Sequence, residues 1–340
     1  MALIYCGIDE AGYGPLLGPL CVGMSAFSVE GWREGDPAPD LWKLLSSAVC
    51  REASDKRRRI AVDDSKKLKL ANSSVRRHPL HHLERGVLAF LAARRDSPCP
   101  SFTSDHELLA ALGVRLGTAG RLPGWYDGLP APIPIGSSQA EIAIAANTLR
   151  LALDSAGIAV LSLAAEAVGE SSFNELVEAA GTKAAVTESV LVRFLADVWT
   201  RFAAVPGAGP PGRDGVRVVC DRQGGRTQYG GLLARAFPEA AVSVVVESPA
   251  HSKYQLRAPG RAMSVSFRVE AESAHLPVAL ASMLAKLTRE LMMARFNRYW
   301  CNRIPELKPT AGYALDARRW LRDAHDDIHP DERRSLIRRA

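Results

Sequence analysis

Two rhythms of apolar and polar positions divide the chain. Leu3 to Asp9 is an almost unbroken apolar run that stops at two acids, as expected of a strand buried on both faces. Leu20 to Val29 is a second run of small and apolar residues. Ala11 to Pro19 between them is rich in Gly and Pro, so the chain is predicted to open with a hairpin-like unit. Gly215 to Asp221, Ala241 to Glu247 and Met263 to Glu270 carry further strand patterns, the first of them again ending on Asp. Helical patterning marks 78–95, Gln139 to Ser155, Ser172 to Phe202 and Leu276 to Trp300. Residues 96–138 lack sustained periodicity, and Pro206 to Gly215, containing Gly-Ala-Gly-Pro-Pro-Gly, reads as a linker. Strands first, then helices, then strands with helices, predict a mixed α/β fold with helical material inserted midway.

Composition narrows the class without choosing a function. The chain has 340 residues, 47% hydrophobic and 24% charged, enough apolar side chain for a core without covalent staples. A net charge of +6 suits a polyanionic partner, although many basic proteins touch no nucleic acid. The six cysteines (6, 21, 50, 99, 220 and 301) form no C-x-x-C pair and stand at no zinc-finger spacing. Asp9 and Glu10 interrupt the N-terminal apolar stretch, which argues against a secretory signal. No apolar segment approaches the ~20 residues of a membrane span, and a reduced, cytoplasmic protein is expected.

Candidate chemistry lies at the strand ends. Ile8-Asp9-Glu10 and Val219-Cys220-Asp221 each close an apolar strand with carboxylates, and Glu272 lies between a later strand and the long helix. One such acid is more often an ordinary solvated residue; several converging at one sheet edge would suit Mg²⁺ or Mn²⁺ rather than zinc. Gly12-Tyr13-Gly14 with Gly18 does not fit a dinucleotide-binding turn, because the spacing is wrong and Pro19 stands where a crossover helix should run. Such a turn can bring backbone N–H groups close to a phosphate or sugar, or simply turn the chain.

These residues together resemble a known family. Gly7-Ile8-Asp9-Glu10-Ala11-Gly12-Tyr13-Gly14-Pro15-Leu16-Leu17-Gly18-Pro19 is similar to the N-terminal signature of ribonuclease HII, the type 2 ribonuclease H. Asp64-Ser65-Lys66-Lys67-Leu68, Cys220-Asp221, Glu272-Ser273 followed by Ala281 to Glu290, and Ala311-Gly312-Tyr313 resemble its later motifs, in the family's order. The resemblance covers 1–29, 60–70 and 215–320. It implies a ribonuclease H-like fold: a mixed central sheet flanked by helices, here as a catalytic domain over 1–300. Residues 71–214 would be a large helical and irregular insertion, and 301–340 a helical C-terminal extension carrying the Gly-Tyr motif.

The resemblance further implies endonucleolytic cleavage with two metal ions, Mg²⁺ or Mn²⁺. The substrate would be the RNA strand of an RNA–DNA hybrid, or a DNA duplex containing ribonucleotides. Asp9, Glu10, Asp221 and Glu272 would be the catalytic, metal-binding carboxylates. Gly12, Tyr13, Gly14 and Tyr313 would line the ribonucleotide, and Lys66, Lys67 and Lys286 would meet phosphates or hold the site together; Arg222, outside the family pattern, is expected to contact phosphate or to occupy the site in the free protein. No membrane and no obligate protein partner are expected. Three positions depart from the family: Glu272 stands for Asp, Tyr13 for Arg and Arg222 for Gly. Two other readings stay open: a nuclease of the same fold acting on DNA junctions or structured RNA, and a nucleic-acid binding protein without turnover.

The remaining candidates read as structural. His78, His81 and His82 are expected on a solvated helix face, and Trp125 and Tyr126 are expected to pack the insertion onto the core. Lys56 to Arg59 is read first as a solvated basic turn.

Overall fold

The structure, a computed structural model, describes every residue except 1, 34, 95–100, 118–120, 205–214, 223, 325–326 and 340. The expected linker, apart from Gly215, and Cys99 therefore lie outside the described residues. The chain opens with β1 (Leu3–Ala11) and β2 (Leu20–Val29), then α1 (Leu41–Leu44), the short strands β3 (Val49–Cys50) and β4 (Ile60–Ala61), and α2 (Ser65–Leu68). The middle holds α3 (His81–Ala92), α4 (Asp105–Ala111), α5 (Gln139–Ser155), β5 (Ile158–Val168), α6 (Glu170–Ala180) and α7 (Ala184–Phe202). It continues with β6 (Val216–Asp221), α8 (Gly230–Ala236), β7 (Ala241–Glu247), β8 (His251–Ala258) and β9 (Arg261–Arg268). Three helices follow: α9 (Leu276–Arg303), α10 (Ala314–Asp323) and α11 (Pro330–Leu336).

Seven strands form one mixed sheet in the order β5-β2-β1-β6-β9-β8-β7. β1 and β2 pair antiparallel from Leu3↔Val29 to Ala11↔Cys21, the hairpin the sequence predicts. β6 lies between β1 and β9 and runs parallel to both. The two apolar faces explain the unbroken hydrophobic run of β1. Leu3 and Tyr5 join the core beneath α9, whereas Cys6 and Ile8 join Val186, Val190, Leu195 and Val198 of α7 on the opposite face. A mixed sheet flanked by helices is therefore present as expected.

α9 is the axis of the molecule. It is buried around most of its circumference, including Arg289 and Arg295, and it lies directly on the hairpin. That approach depends on two glycines. A Cβ on Gly7 would sit 2.2 Å from the Pro277 backbone, and one on Gly23 would sit 2.2 Å from the Ala281 carbonyl. Arg295 is held in the core by a buried pair with Asp105 (2.7 Å) and by the carbonyls of Tyr126 (3.1 Å) and Gly128 (3.0 Å).

Several expectations need correction. Residues 71–214, expected to be largely helical and irregular, also hold a strand of the main sheet, β5. β5 pairs with β2 along its whole length, from Leu20↔Val168 to Val29↔Ile158. Its sequence, IAVLSLAAEAV, is rich in Ala, which carries little strand propensity, so the segment is legible only through its partner. The single helix expected over Ser172 to Phe202 is two, broken at Gly181 with φ +74°. β8 has no counterpart among the predicted strands, and β9 ends at Arg268 rather than Glu270. His82 is buried rather than solvated, and burial pushes its pKa down to about 4. Trp125 and Tyr126 are buried against Phe296 and Trp300 of α9, as expected. Residues of the 301–340 segment, Trp320 among them, share the same core. Among the described residues no helix is long and apolar enough to cross a membrane.

Candidate active site

The sheet brings distant acids together through strand direction. Ile8 of β1 lies opposite Cys220 of the parallel β6, so the next residues, Asp9 and Asp221, stand at the same end of neighbouring strands. β9 runs parallel to β6 on its other side, and just beyond it a single 3-10 turn, Ala271–Ser273, delivers Glu272. That turn is tied to β6 by the Ala271 amide, which donates to Asp221 Oδ1 at 3.0 Å. α2 supplies a fourth element: its capping residue Asp64 accepts from the Lys66 amide at 2.9 Å.

Asp9, Glu10, Asp64, Asp221 and Glu272 line one cleft of about 260 Å³. Gly12, Tyr13, Gly14, Lys66, Lys286 and Tyr313 line it too. Lys67 and Arg222 do not. Lys67 reaches back to Asp63 at 3.5 Å, and the Arg222 guanidinium donates to the Gly225 carbonyl at 3.0 Å. Both are turned to local partners. Lys286 lines the cleft with its ammonium paired to Glu290 at 2.8 Å.

Asp64, Ser65 and Ser282 are cleft residues the sequence reading did not assign. Asp64 and Ser65 belonged to a motif already quoted, and the signal missed was that a helix-capping acid faces the same side as the lysine after it. Ser282 of α9 is visible only in three dimensions, where its hydroxyl donates to Ser65 Oγ at 3.0 Å. A larger cavity of about 300 Å³ between Val114, Ala165 and Phe194 gathers none of the expected residues.

The cleft is electrostatically frustrated. Burial pushes the Asp9 carboxyl well above the usual range, and the charges of Glu10 and Asp221 push it further. The Ser282 hydroxyl and the Glu10 amide, 2.7 Å away, oppose that shift only in part. Burial and Asp221 raise Glu10 to about 7, with Lys66 opposing. Asp221 and Glu272 are also raised, in each case chiefly by burial. The Asp221 charge adds to the rise of Glu272, and Glu272 Oε2 is buried with no donor facing it. Repulsion between neighbouring buried carboxylates is relieved by a proton or a cation between them.

The donor set therefore fits a divalent metal in chemistry and charge: several hard oxygens and uncompensated negative charge. The geometry is open. Among the described residues no three His, Cys, Asp or Glu side chains are already drawn around one point. Mg²⁺ commonly binds through one or two carboxylates plus substrate phosphate, which an open arrangement can serve.

Comparison with known proteins gives a distant structural likeness. No family model matches the sequence, and no curated protein matches it. Among solved structures, the chain aligns with one from the PCNA–ribonuclease HII complex of Archaeoglobus fulgidus at 16% identity and a TM-score of 0.40, covering 99% of this chain and 94% of the other. It aligns with ribonuclease H2 from Pyrococcus horikoshii OT3 at 12% identity and a TM-score of 0.40, covering 99% and 93%. Bst-RNase HIII in complex with Mn²⁺ aligns at 14% identity and a TM-score of 0.39, covering 99% of this chain and 66% of that one. Likeness at this level leaves activity, substrate and metal to the site itself.

Proposed function

We propose that this chain is a metal-dependent endoribonuclease that cuts the RNA strand of RNA–DNA hybrids or at ribonucleotides embedded in DNA duplex. The observation that carries the reading is the convergence of Asp9, Glu10, Asp221 and Glu272, from three separate parts of the chain, in a cleft shared with the Gly-rich turn and Tyr313. These are the residues the ribonuclease HII resemblance selects in the sequence, and their raised carboxyl pKa values call for a cation.

In this reading the carboxylates of Asp9, Glu10, Asp221 and Glu272 would hold two Mg²⁺ or Mn²⁺ ions. Bound there, the ions supply Lewis acidity toward a scissile phosphodiester. Asp9, deepest of the four at 8% exposed, would be held at the centre of the ligand set. Lys66 lowers the charge repulsion within the cluster and faces the phosphates. Gly12 and Gly14 allow the backbone to approach the ribose, where a 2′-hydroxyl distinguishes RNA from DNA. The exposed rings of Tyr13 and Tyr313, 39% and 48% accessible, offer apolar faces to sugar or base. Tyr13 supplies a ring where the family has a cation, which favours stacking over phosphate contact at that position.

A second reading, nucleic-acid binding without turnover, is favoured by the open spacing of the carboxylates. One experiment separates the two. A labelled RNA–DNA hybrid is incubated with Mg²⁺, Mn²⁺ or a chelator, using the wild type and Asp9→Asn. The proposed function predicts cutting with metal only, and a loss of about 100-fold or more in the variant. Salt-sensitive binding with no cutting under either metal would establish the second reading instead.

A further inference from the structure

The Gly-rich turn is held from behind by residues far away in sequence. Arg338, only 2% exposed, donates from Nη1 to the Gly12 carbonyl at 2.5 Å and from Nη2 to the Tyr13 carbonyl at 3.0 Å. A longer contact, 3.4 Å, reaches the Gly18 carbonyl. Its guanidinium lies 3.9 Å from the centre of the Phe173 ring, and its own amide donates to the Leu16 carbonyl at 2.9 Å. Burial and the nearby Arg289 push its pKa down to about 10, while buried Glu170 opposes that shift. Glu170 in turn accepts from the Gly18 amide at 3.1 Å. This is a built, charged and desolvated clasp around one turn.

Its consequence follows from peptide geometry. In a trans peptide the N–H points opposite to the C=O. Among the described residues the one cis bond is Ile133–Pro134, so the peptides of the turn are trans. The peptide that presents the Gly12 carbonyl to Arg338 therefore directs the Tyr13 N–H away from it. The peptide that presents the Tyr13 carbonyl likewise directs the Gly14 N–H away. Gly12, Tyr13 and Gly14 all line the cleft, and Arg338 does not. No acceptor among the described residues takes either amide.

We propose that Arg338 is a positioning residue for ribose recognition: by holding two adjacent carbonyls it aims the Tyr13 and Gly14 amides into the cleft as a paired donor site for a substrate 2′-hydroxyl. The inference rests on the ribonuclease reading of the same cleft and adds what enforces the sugar preference. Gly12 is part of the device. Its φ of +89° is left-handed, and a Cβ there would come within 2.5 Å of the Arg289 side chain. The turn can thus be set from outside the cleft, by a residue that touches neither substrate nor carboxylates.

The test is a binding measurement in chelator, so that no cutting intervenes. Two duplexes differ only in one ribonucleotide against its 2′-deoxy counterpart, and anisotropy gives the affinity ratio for each protein. Wild type is expected to prefer the ribonucleotide duplex by roughly tenfold, the scale of one or two net hydrogen bonds. Arg338→Gln is expected to bring the ratio close to one. Arg339→Gln, which alters an exposed pair with Glu178 on the same segment, is expected to leave it unchanged. Arg338→Lys keeps the buried charge but cannot span both carbonyls, so it is expected to lower the ratio in part. It also decides the matter if Arg338→Gln does not fold. A full wild-type ratio in a folded Arg338 variant overturns the inference, as does a wild type with no sugar preference. A wild type that cuts hybrids while Arg338→Gln keeps its ratio sinks this inference alone; a wild type that cuts no hybrid sinks the ribonuclease reading itself.

Discussion

Asp9 is an acid placed where water cannot solvate its charge and where two neighbours repel it. Its cost is legible in sequence, because an acid ending so apolar a strand is rarely left without a role. The cluster makes a stability prediction of definite sign. The folded pKa of Glu10, about 7, lies above its ordinary 4.5, so the folded state binds the proton more tightly than the unfolded chain. Stability from this group is fully present below 4.5 and lost as pH rises through about 7. Metal-free protein should therefore lose stability between those pH values, and Glu10→Gln should flatten that part of the urea-unfolding profile. Likewise, Asp221→Asn should stabilise the metal-free protein at neutral pH by ~1 kcal/mol while abolishing cleavage, because a repelled charge is removed. Destabilisation by Asp221→Asn would show that the cluster is not under repulsion. Other cleft residues were less legible. Ser282 carries no chemical signal of its own in a helix of 28 residues, and its place beside Ser65 comes only from packing.

At the scale of elements, the hairpin and the long helix were readable because each repeats its period without interruption. β5 was not, because alanine gives neither a helical stripe nor a strand preference strong enough to count. β8 was hidden for a different reason: five of the eight residues of HSKYQLRA are polar, yet Ser252, Tyr254 and Leu256 are buried. The contact between the hairpin and α9 fixes the depth at which Asp9 meets Ser282, and glycine makes it possible. Gly23→Ala forces a Cβ to within 2.2 Å of the Ala281 carbonyl. Its expected cost is ~3 kcal/mol, read as a lowered urea midpoint, since neither backbone can yield cheaply. A neutral result would contradict the close approach of Gly23 to the Ala281 carbonyl.

Taken whole, the molecule encloses its cleft with parts that the sequence divides into an insertion and an extension. Asp105 and Tyr126 hold Arg295, Glu170 holds Gly18, and Arg338 holds Gly12, so segments from the middle and the end of the chain shape the turn and the helix that bear on the acids. Such long-range ties have no local periodicity and are invisible to a reading that proceeds along the chain. They predict that the 301–340 segment unfolds with the rest. Trp320, fully buried against Trp300 and Phe296, should cost ~3–5 kcal/mol on replacement by Ala. Fluorescence and far-ultraviolet circular dichroism should then shift together in a single transition. Two separated transitions would mark the segment as an independent unit.

The most direct measurement is single-turnover cleavage with Mn²⁺ of four matched duplexes: continuous hybrid, DNA with one ribonucleotide, all-DNA and all-RNA. A ribonucleotide-directed nuclease should cut the first two, or one of them, and leave the all-DNA control intact, with each cut lost in Asp9→Asn. Cutting of the all-DNA duplex at a comparable rate, or no cutting of any duplex, would contradict that reading.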